Sequence, residues 1–458
     1  MPWLTTDRLF NSFVSYTKLK GLIMNTIVNE KVITKKRGNK RWFVVFLLLI
    51  GGIVNYLDRA SLSIAAPDMM KELELSNTDI GLLGSVFALI YALCQLPAGW
   101  LVDRFGPKKV YGWAVGLWSG ATMLTGACSS MVTLIFARGL LGITEAPCWP
   151  GAAKITASWF PKSERALATG FWDAASKWGP AIAPPILVAI IVPFGWRALF
   201  YIAGAIGFIF VVFFIFAYHQ PEQHPNITKE ELDYIKEGGG GTAQKLTGDA
   251  EKISWGGLFK YRCIWGMILG WFCYVWMMNI FTTFLPLYLM KTQNIQFKEL
   301  GIYASIPYFG GIVGAIAGGY ISKWLVDKQI FTESLKAKRV TISVSALLAG
   351  VAVIAVPMVD SLAATLTLLV IAMALLSSLS ATGWALPGDV APASMVASVG
   401  SIQNFGGYFA GSLSPLVTGL IADVTGSYTL AFVSGGIIAA CAALCYWFIV
   451  KEPVTVTD

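Results

Sequence analysis

Asp58 and Arg59 stand side by side in residues 42–66, a stretch that holds no other charge. Arg138, Gly142 and Glu145 fall at i, i+4 and i+7 of a second apolar stretch, so a helix there puts all three on one face. Asp173 and Lys177 form an i, i+4 pair in a third. A desolvated carboxylate takes up a proton and gives it back near a cation or water. A guanidinium offers a planar, two-pronged match to an incoming carboxylate. The other reading is that these residues form static ion pairs that lock helices together, and for Asp173 and Lys177 that they neutralise each other. Gly142, between the two charges, lets a neighbouring backbone come close. His219 and His224 both lie in a polar segment, so proton chemistry in the apolar stretches rests on carboxylates.

The elements that carry these residues are set by composition. Of 458 residues, 56% are hydrophobic and 13% charged, against about 25% charged in a soluble domain. A soluble chain of this length would need a charged skin, which excludes a disordered protein, a secreted disulfide scaffold and an ordinary soluble enzyme. A membrane helix needs roughly 20 mostly apolar residues. On that measure the spans fall near 42–66, 79–102, 110–130, 132–156, 166–193 and 197–218, then 263–290, 300–326, 340–358, 361–387, 394–422 and 427–450. The expected fold is all-α, with twelve transmembrane helices in two sets of six: residues 42–218 and 263–450. A tail (1–41), a central loop (219–262) and a short end (451–458) complete the chain.

Counted over these segments, 27 of the 34 Lys and Arg lie on the side of the N-terminus, against four opposite: Lys71, Arg197, Lys291 and Lys298. Basic residues stay on the cytoplasmic side, so both termini are expected there, in a multi-pass protein of a bacterial inner membrane. The net charge of +8 is scattered over short loops without a basic aromatic face, so no nucleic-acid partner is expected. No GxxxxGK[ST] loop is present, which argues against a nucleotide-driven engine. The seven cysteines show no metal spacing and read as small core residues. No metal or cofactor is expected.

The first 41 residues hold no apolar run long enough for a signal peptide, and Met24 offers an alternative start. In the central loop, Thr228 caps a short helix with Glu231 at N3, and Gly238–Gly241 ends it as a flexible tether. The second half is poor in charge. Its polar groups are Asn279, Thr282, Thr283, Ser377, Ser380, Thr382 and the adjacent amides Gln403 and Asn404, flanked by Gly400, Gly406 and Gly407. Membrane Ser and Thr commonly bond their own backbone, so the amides are the better ligand candidates. Tyr56, Tyr91, Trp172, Trp276, Tyr308 and Trp384 could stack on a sugar ring or simply pack helices.

Gly99-Trp-Leu-Val-Asp103-Arg104-Phe-Gly-Pro-Lys-Lys109 resembles the loop signature of the major facilitator superfamily, G-x-L-x-D-R-x-G-x-[KR]-[KR]. The strings NYLDRASLSIAAP, QLPAGWLVDRFG, ARGLLGITEAPCWPG, SWFPKSERALATGF and SVGSIQNFGGYFAGSLSPLVTG resemble its anion:cation symporter branch, which includes bacterial permeases for galactonate, glucarate and hexuronates. The likeness runs over residues 40–452. It implies two pseudo-symmetric six-helix bundles that rock about a midplane cavity. It implies proton coupling through Asp58 and Glu145, with Arg138 modulating Glu145. Arg59 would anchor a substrate carboxylate, Tyr56, Tyr91, Trp384 and Asn404 would contact a sugar acid, and Asp103 and Arg104 would gate the cytoplasmic side, the acid capping a helix end.

Two features depart from the branch. In the second copy of the loop motif Lys323 stands where an acid is usual, with Asp327 the nearest acid. Asp173 and Lys177 replace an uncharged segment, which adds Lys177 to the candidate substrate contacts, as the amide pair adds Gln403. The function expected is proton-coupled import of a small organic anion, a sugar acid, by a monomer. An aromatic-acid or sodium-linked carrier is the alternative. A receptor or membrane enzyme is remote, since no nucleophile–base pair is visible.

Overall fold

The computed structural model describes residues 38–75, 77–241, 254–293, 297–425 and 429–454. The expectations for residues 1–37, including Met24, and for residues 242–253 and 455–458 fall outside it. The described residues form helices and no strand.

The first half runs through α1 (Lys40–Leu73), α2 (Asn77–Phe105) and α3 (Pro107–Ala127). The fourth pass is broken into α4 (Met131–Glu145) and α5 (Cys148–Trp159), and the fifth into α6 (Arg165–Asp173) and the start of α7 (Ala175–Ala217). α7 reverses at Gly195, whose φ of 77° suits a residue without Cβ, and returns as the sixth pass. The short α8 (Lys229–Glu237) precedes the second half. That half comprises α9 (Arg262–Thr292), α10 (Phe297–Asp327), α11 (Ser334–Ala355), α12 (Leu362–Ala385) with its extension α13 (Pro387–Val390), α14 (Val396–Thr425) and α15 (Thr429–Leu444). The chain thus makes twelve passes in two bundles of six.

Nine described stretches are long and apolar enough to cross a bilayer on composition alone. The third, fifth and eleventh passes are not among these described stretches. α3 is rich in Gly, Ser, Thr and Trp, the fifth pass carries Asp173 and Lys177, and α14 carries Gln403 and Asn404. The fifth and eleventh passes line the interior, where polar groups meet protein rather than lipid. Outward, Phe136, Val192, Phe216, Val313 and Val424 are largely exposed, the pattern of a lipid-facing surface.

The halves meet along α2 against α14 and α6 against α10. Backbone approach is tight there. A Cβ at Gly99 would lie 2.6 Å from the Ala397 carbonyl oxygen, and one at Gly170 would collide with that of Ala315. At the start of α1, α8 is docked. Thr228 caps it by accepting from Glu231 N at 3.2 Å. The Glu231 carboxylate does not return to the cap as a capping box would require. It accepts from Lys40 N, Arg41 N and Arg41 Nη1 at 3.1–3.2 Å. Gly238–Gly241 is not a free tether. Lys162 N donates to Gly238 O at 2.8 Å, Arg165 Nη2 to Gly239 O at 2.6 Å, and Gly241 N to Ser158 O at 2.7 Å. Glycines let the chain lie flat on the helix ends here. All seven cysteines are free, and Cys441 is exposed on the outer surface rather than in the core.

Candidate functional site

On α1 the residues Val44, Leu48, Asn55, Asp58, Leu62 and Ala65 are buried. One residue on from Asp58, Arg59 turns toward a cavity between the two halves. Its Nε donates to Glu145 Oε2 at 2.8 Å and its Nη1 to the Tyr408 hydroxyl of α14 at 2.8 Å. Its guanidinium carbon lies 4.8 Å from the Tyr91 ring centre, 5.2 Å from Phe87 and 5.5 Å from Tyr56. Nη2 has no partner. This aromatic cradle holds the charge while leaving one edge of the fork free.

Glu145 sits at the last residue of α4, where the pass breaks before Pro147. Gln95 Nε2 donates to the Ala146 carbonyl freed by that break, at 3.2 Å. The Glu145 side chain is completely buried behind Arg59, and its second oxygen, Oε1, has no partner. Gly142 is the predicted point of close approach: a Cβ there would lie 2.8 Å from Phe87 O of α2. That contact brings Phe87 over the Arg138 guanidinium, 5.1 Å away.

Arg138 and Glu145 share a face yet form no ion pair within 4 Å; Glu145 pairs with Arg59 instead. A static Asp58–Arg138 bridge is likewise not formed. Asp58 is 1% exposed, both its oxygens lack a hydrogen-bond partner, and Asn55, Trp118, Thr122 and Arg138 Nε beside it keep unpartnered polar atoms too. Asp58 therefore occupies a closed polar pocket, off the cavity.

The cavity has a volume of about 380 Å³ and draws on both halves. Of the residues singled out from sequence, Tyr56, Arg59, Lys177, Trp384 and Asn404 line it. Tyr91 and Gln403 do not. Tyr91 is buried behind the wall with its ring 4.4 Å from that of Tyr408. Gln403, next to Asn404 in α14, points about 100° away from it, and its Nε2 donates to Gly383 O at 3.3 Å. Of the aromatic candidates, Tyr308 also lines the cavity, Trp172 stacks behind Trp149 and Trp384, and Trp276 packs on Phe272. The Thr282 and Thr283 side chains lie outside the described set.

Sequence reasoning missed Tyr408, Trp149, Trp271 and Tyr274, all lining residues. Tyr408 was within reach, being i+4 from Asn404 on the same helical face. Trp271 spans the floor: its Nε1 donates to Asn404 Oδ1 at 3.3 Å and its ring meets that of Trp384 at 5.5 Å. Asp173 and Lys177 both line the cavity, but α6 ends between them, at Ala174, and no ion pair forms. Lys177 Nζ donates to Ser176 Oγ at 2.5 Å instead.

On the face where α1 begins, side chains bridge the two halves. Asp103 Oδ2 accepts from Ser398 N at 2.7 Å and Oδ1 from Ala397 N at 3.2 Å, capping the start of α14 from the opposite half. Lys154 pairs with Asp103 at 2.8 Å and also donates to Ala393 O. Arg104, by contrast, is exposed and lies 5.0 Å over the Trp100 ring, away from this contact. In the second half Lys323 pairs locally with Asp327. The acid that acts there is Asp389, which sequence reading did not pick out. It accepts from Lys338 Nζ at 2.6 Å, Ser334 Oγ at 2.9 Å and Arg165 Nη1 of the first half at 3.3 Å. Lys338 also donates across to Lys162 O at 3.0 Å.

Two six-helix bundles around a shared cavity of aromatic, charged and amide side chains, latched on one face by ion pairs and a helix cap, define a membrane transporter rather than an enzyme. The chain belongs to the Major Facilitator Superfamily, whose sequence profile matches residues 48–415. It is 34% identical over 410 residues to the probable L-galactonate transporter of Escherichia coli, covering 90% of this chain and 89% of that one. To the probable galactarate/D-glucarate transporter GudP of Escherichia coli it is 32% identical (94% and 97% covered), and to the probable sulfoacetate transporter SauU of Cupriavidus necator 31% (91% and 95%). Among solved structures it resembles FucP in the outward conformation, with a TM-score of 0.66 at 13% identity, covering 90% of this chain and 100% of FucP. The proton:xylose symporter XylE matches with a TM-score of 0.67 at 14% identity, covering 89% and 95%. These two likenesses establish the fold.

Proposed function

We propose that this transporter is a proton-coupled symporter that imports a sugar acid (an aldonate, aldarate or hexuronate) by alternating access. The names of the relatives, which span galactonate, galactarate, glucarate and sulfoacetate, support a small organic anion as cargo. The observation that carries the coupling is the Arg59–Glu145 pair, whose cation meets the cavity while its anion is sealed behind it.

An incoming carboxylate competes with Glu145 for the Arg59 fork. If Arg59 turns to the cargo, Glu145 is left as a buried, unpartnered carboxylate, which is costly. A proton removes that cost. Cargo and proton therefore bind together, and on release of cargo Arg59 returns to Glu145 and expels the proton. Asp58, without any partner, is satisfied most cheaply by a second proton or by water. Arg138, held over Phe87 nearby, sets the local field on both acids. Tyr56, Trp384 and Asn404 supply the stacking and polar contacts for a hydroxylated chain, with Tyr91 and Gln403 bracing the wall from behind. Asp103 and Asp389 hold one face closed while the cavity loads from the other.

The distribution of Lys and Arg supports placing both termini in the cytoplasm of a bacterial cell, with the latched face inward. A monomer suffices, since one chain encloses the cavity. The test is uptake of D-galactonate and D-glucarate into proteoliposomes under an imposed pH gradient, with sodium varied at fixed pH. Proton-driven accumulation indifferent to sodium is expected. Accumulation that follows sodium and ignores the pH gradient would overturn the reading.

A further inference from the structure

The two cations of the cavity come from different helices, Arg59 from α1 and Lys177 from α7. Arg59 is tied to α4 and α14 through Glu145 and Tyr408. Lys177 projects from α7, its stem against α10, where a Cβ at Gly311 would lie 3.2 Å from Lys177 Cγ. Lys177 is 2% exposed, and no described carboxylate lies within 4 Å of its ammonium. A lysine in such a place is normally paired. Beside it Asp173, equally buried, keeps Oδ2 without a partner. The two flank the helix boundary at Ala174 and stay unpaired, although their i, i+4 spacing would let them neutralise each other.

Resting on the sugar-acid reading above, we propose that the α7 wall is a second anion subsite, so that the preferred cargo is a dicarboxylic sugar acid held at both ends. One carboxylate docks on Arg59 and the other on Lys177. Asp173, whose Oδ2 has no donor, takes a hydrogen bond there from the hydroxyl next to the second carboxylate. The cavity of about 380 Å³ lies within the range of small-ligand sites, and Trp384 and Asn404 lie in its wall between the bundles to meet the middle of the chain.

The test is calorimetric titration of the purified protein with D-glucarate and with D-gluconate, which share a six-carbon chain but differ in one terminal carboxylate. The wild-type protein is expected to bind glucarate at least about tenfold more tightly. That preference should collapse to about one in Lys177→Gln and return in Lys177→Arg. Equal wild-type affinities overturn the second subsite whether or not the Gln variant can be recovered folded, and so does a preference that survives Lys177→Gln. Either result leaves the sugar-acid reading intact, whereas no binding of either compound by wild type overturns both.

Discussion

Arg59 and Glu145 form a 2.8 Å ion pair in which the guanidinium borders the cavity and the carboxylate has no exposed surface. The asymmetry matters. Cargo can reach the cation without reaching the anion, so binding and protonation are linked through a single broken contact. Two static buried charges would be a burden on stability; a pair that must open each cycle turns the same cost into coupling.

Glu145→Gln removes the proton acceptor while keeping shape. Uphill accumulation of D-galactonate in proteoliposomes is expected to fall to the external concentration, while counterflow between equal pools persists. Retained accumulation would exclude Glu145 from the coupling.

Arg59→Ala deletes the cargo anchor and leaves Glu145 buried alone. Loss of one member of a hydrogen-bonded buried pair costs about 2–5 kcal/mol, so affinity for D-galactonate by calorimetry should drop at least about thirtyfold. The double variant Arg59→Ala/Glu145→Gln should melt higher than Arg59→Ala, since the orphaned charge is gone.

Asp58→Asn replaces a carboxyl that has no hydrogen-bond partner by a neutral group of the same shape. The melting midpoint is expected to hold or rise, the change in stability staying within about 0.5 kcal/mol of wild type on the destabilising side. The pH gradient should nevertheless drive less accumulation. A large drop in melting temperature would mean that Asp58 is a structural anion.

Asp389→Asn weakens the latch and leaves Lys338 buried without its counter-charge. A cost of about 3 kcal/mol to the closed face should raise the population open on that side. Spin labels at Lys109 and Gln329, exposed on the two halves, should show a longer-distance component that wild type lacks. An unchanged distance distribution would assign the latch to the Asp103 cap alone.

Most of the fold was legible because apolar length and the six-plus-six pattern are properties of single segments. The site was legible only where one residue suffices. Arg59 stands out as a cation in an apolar helix whatever its partners. Its pairing with Glu145 could not be read, because the two lie 86 positions apart on different helices and Arg138, seven residues before Glu145 on the same face, was the nearer candidate in sequence. Asp173 and Lys177 have the spacing of a helical ion pair, and only the placed side chains show that they do not form one. Gln403 and Asn404 look alike in sequence, and only packing decides which meets the cavity. Asp389 lies in the one-turn α13 without a motif, and its role emerges from three side chains of two other helices converging on it.

Arg165 illustrates what such convergence does. Its Nε donates to Phe160 O at 3.2 Å and its Nη2 to Ala157 O at 2.9 Å and Gly239 O at 2.6 Å, all on its own half or the connector. Only Nη1 crosses, to Gly388 O and Asp389. Parting of the halves severs that one prong and leaves the rest of the group clamped and aimed at the spot where Gly388 must return. Reclosing then requires no rotamer search, so the entropy of ordering a long side chain is not incurred at each turnover.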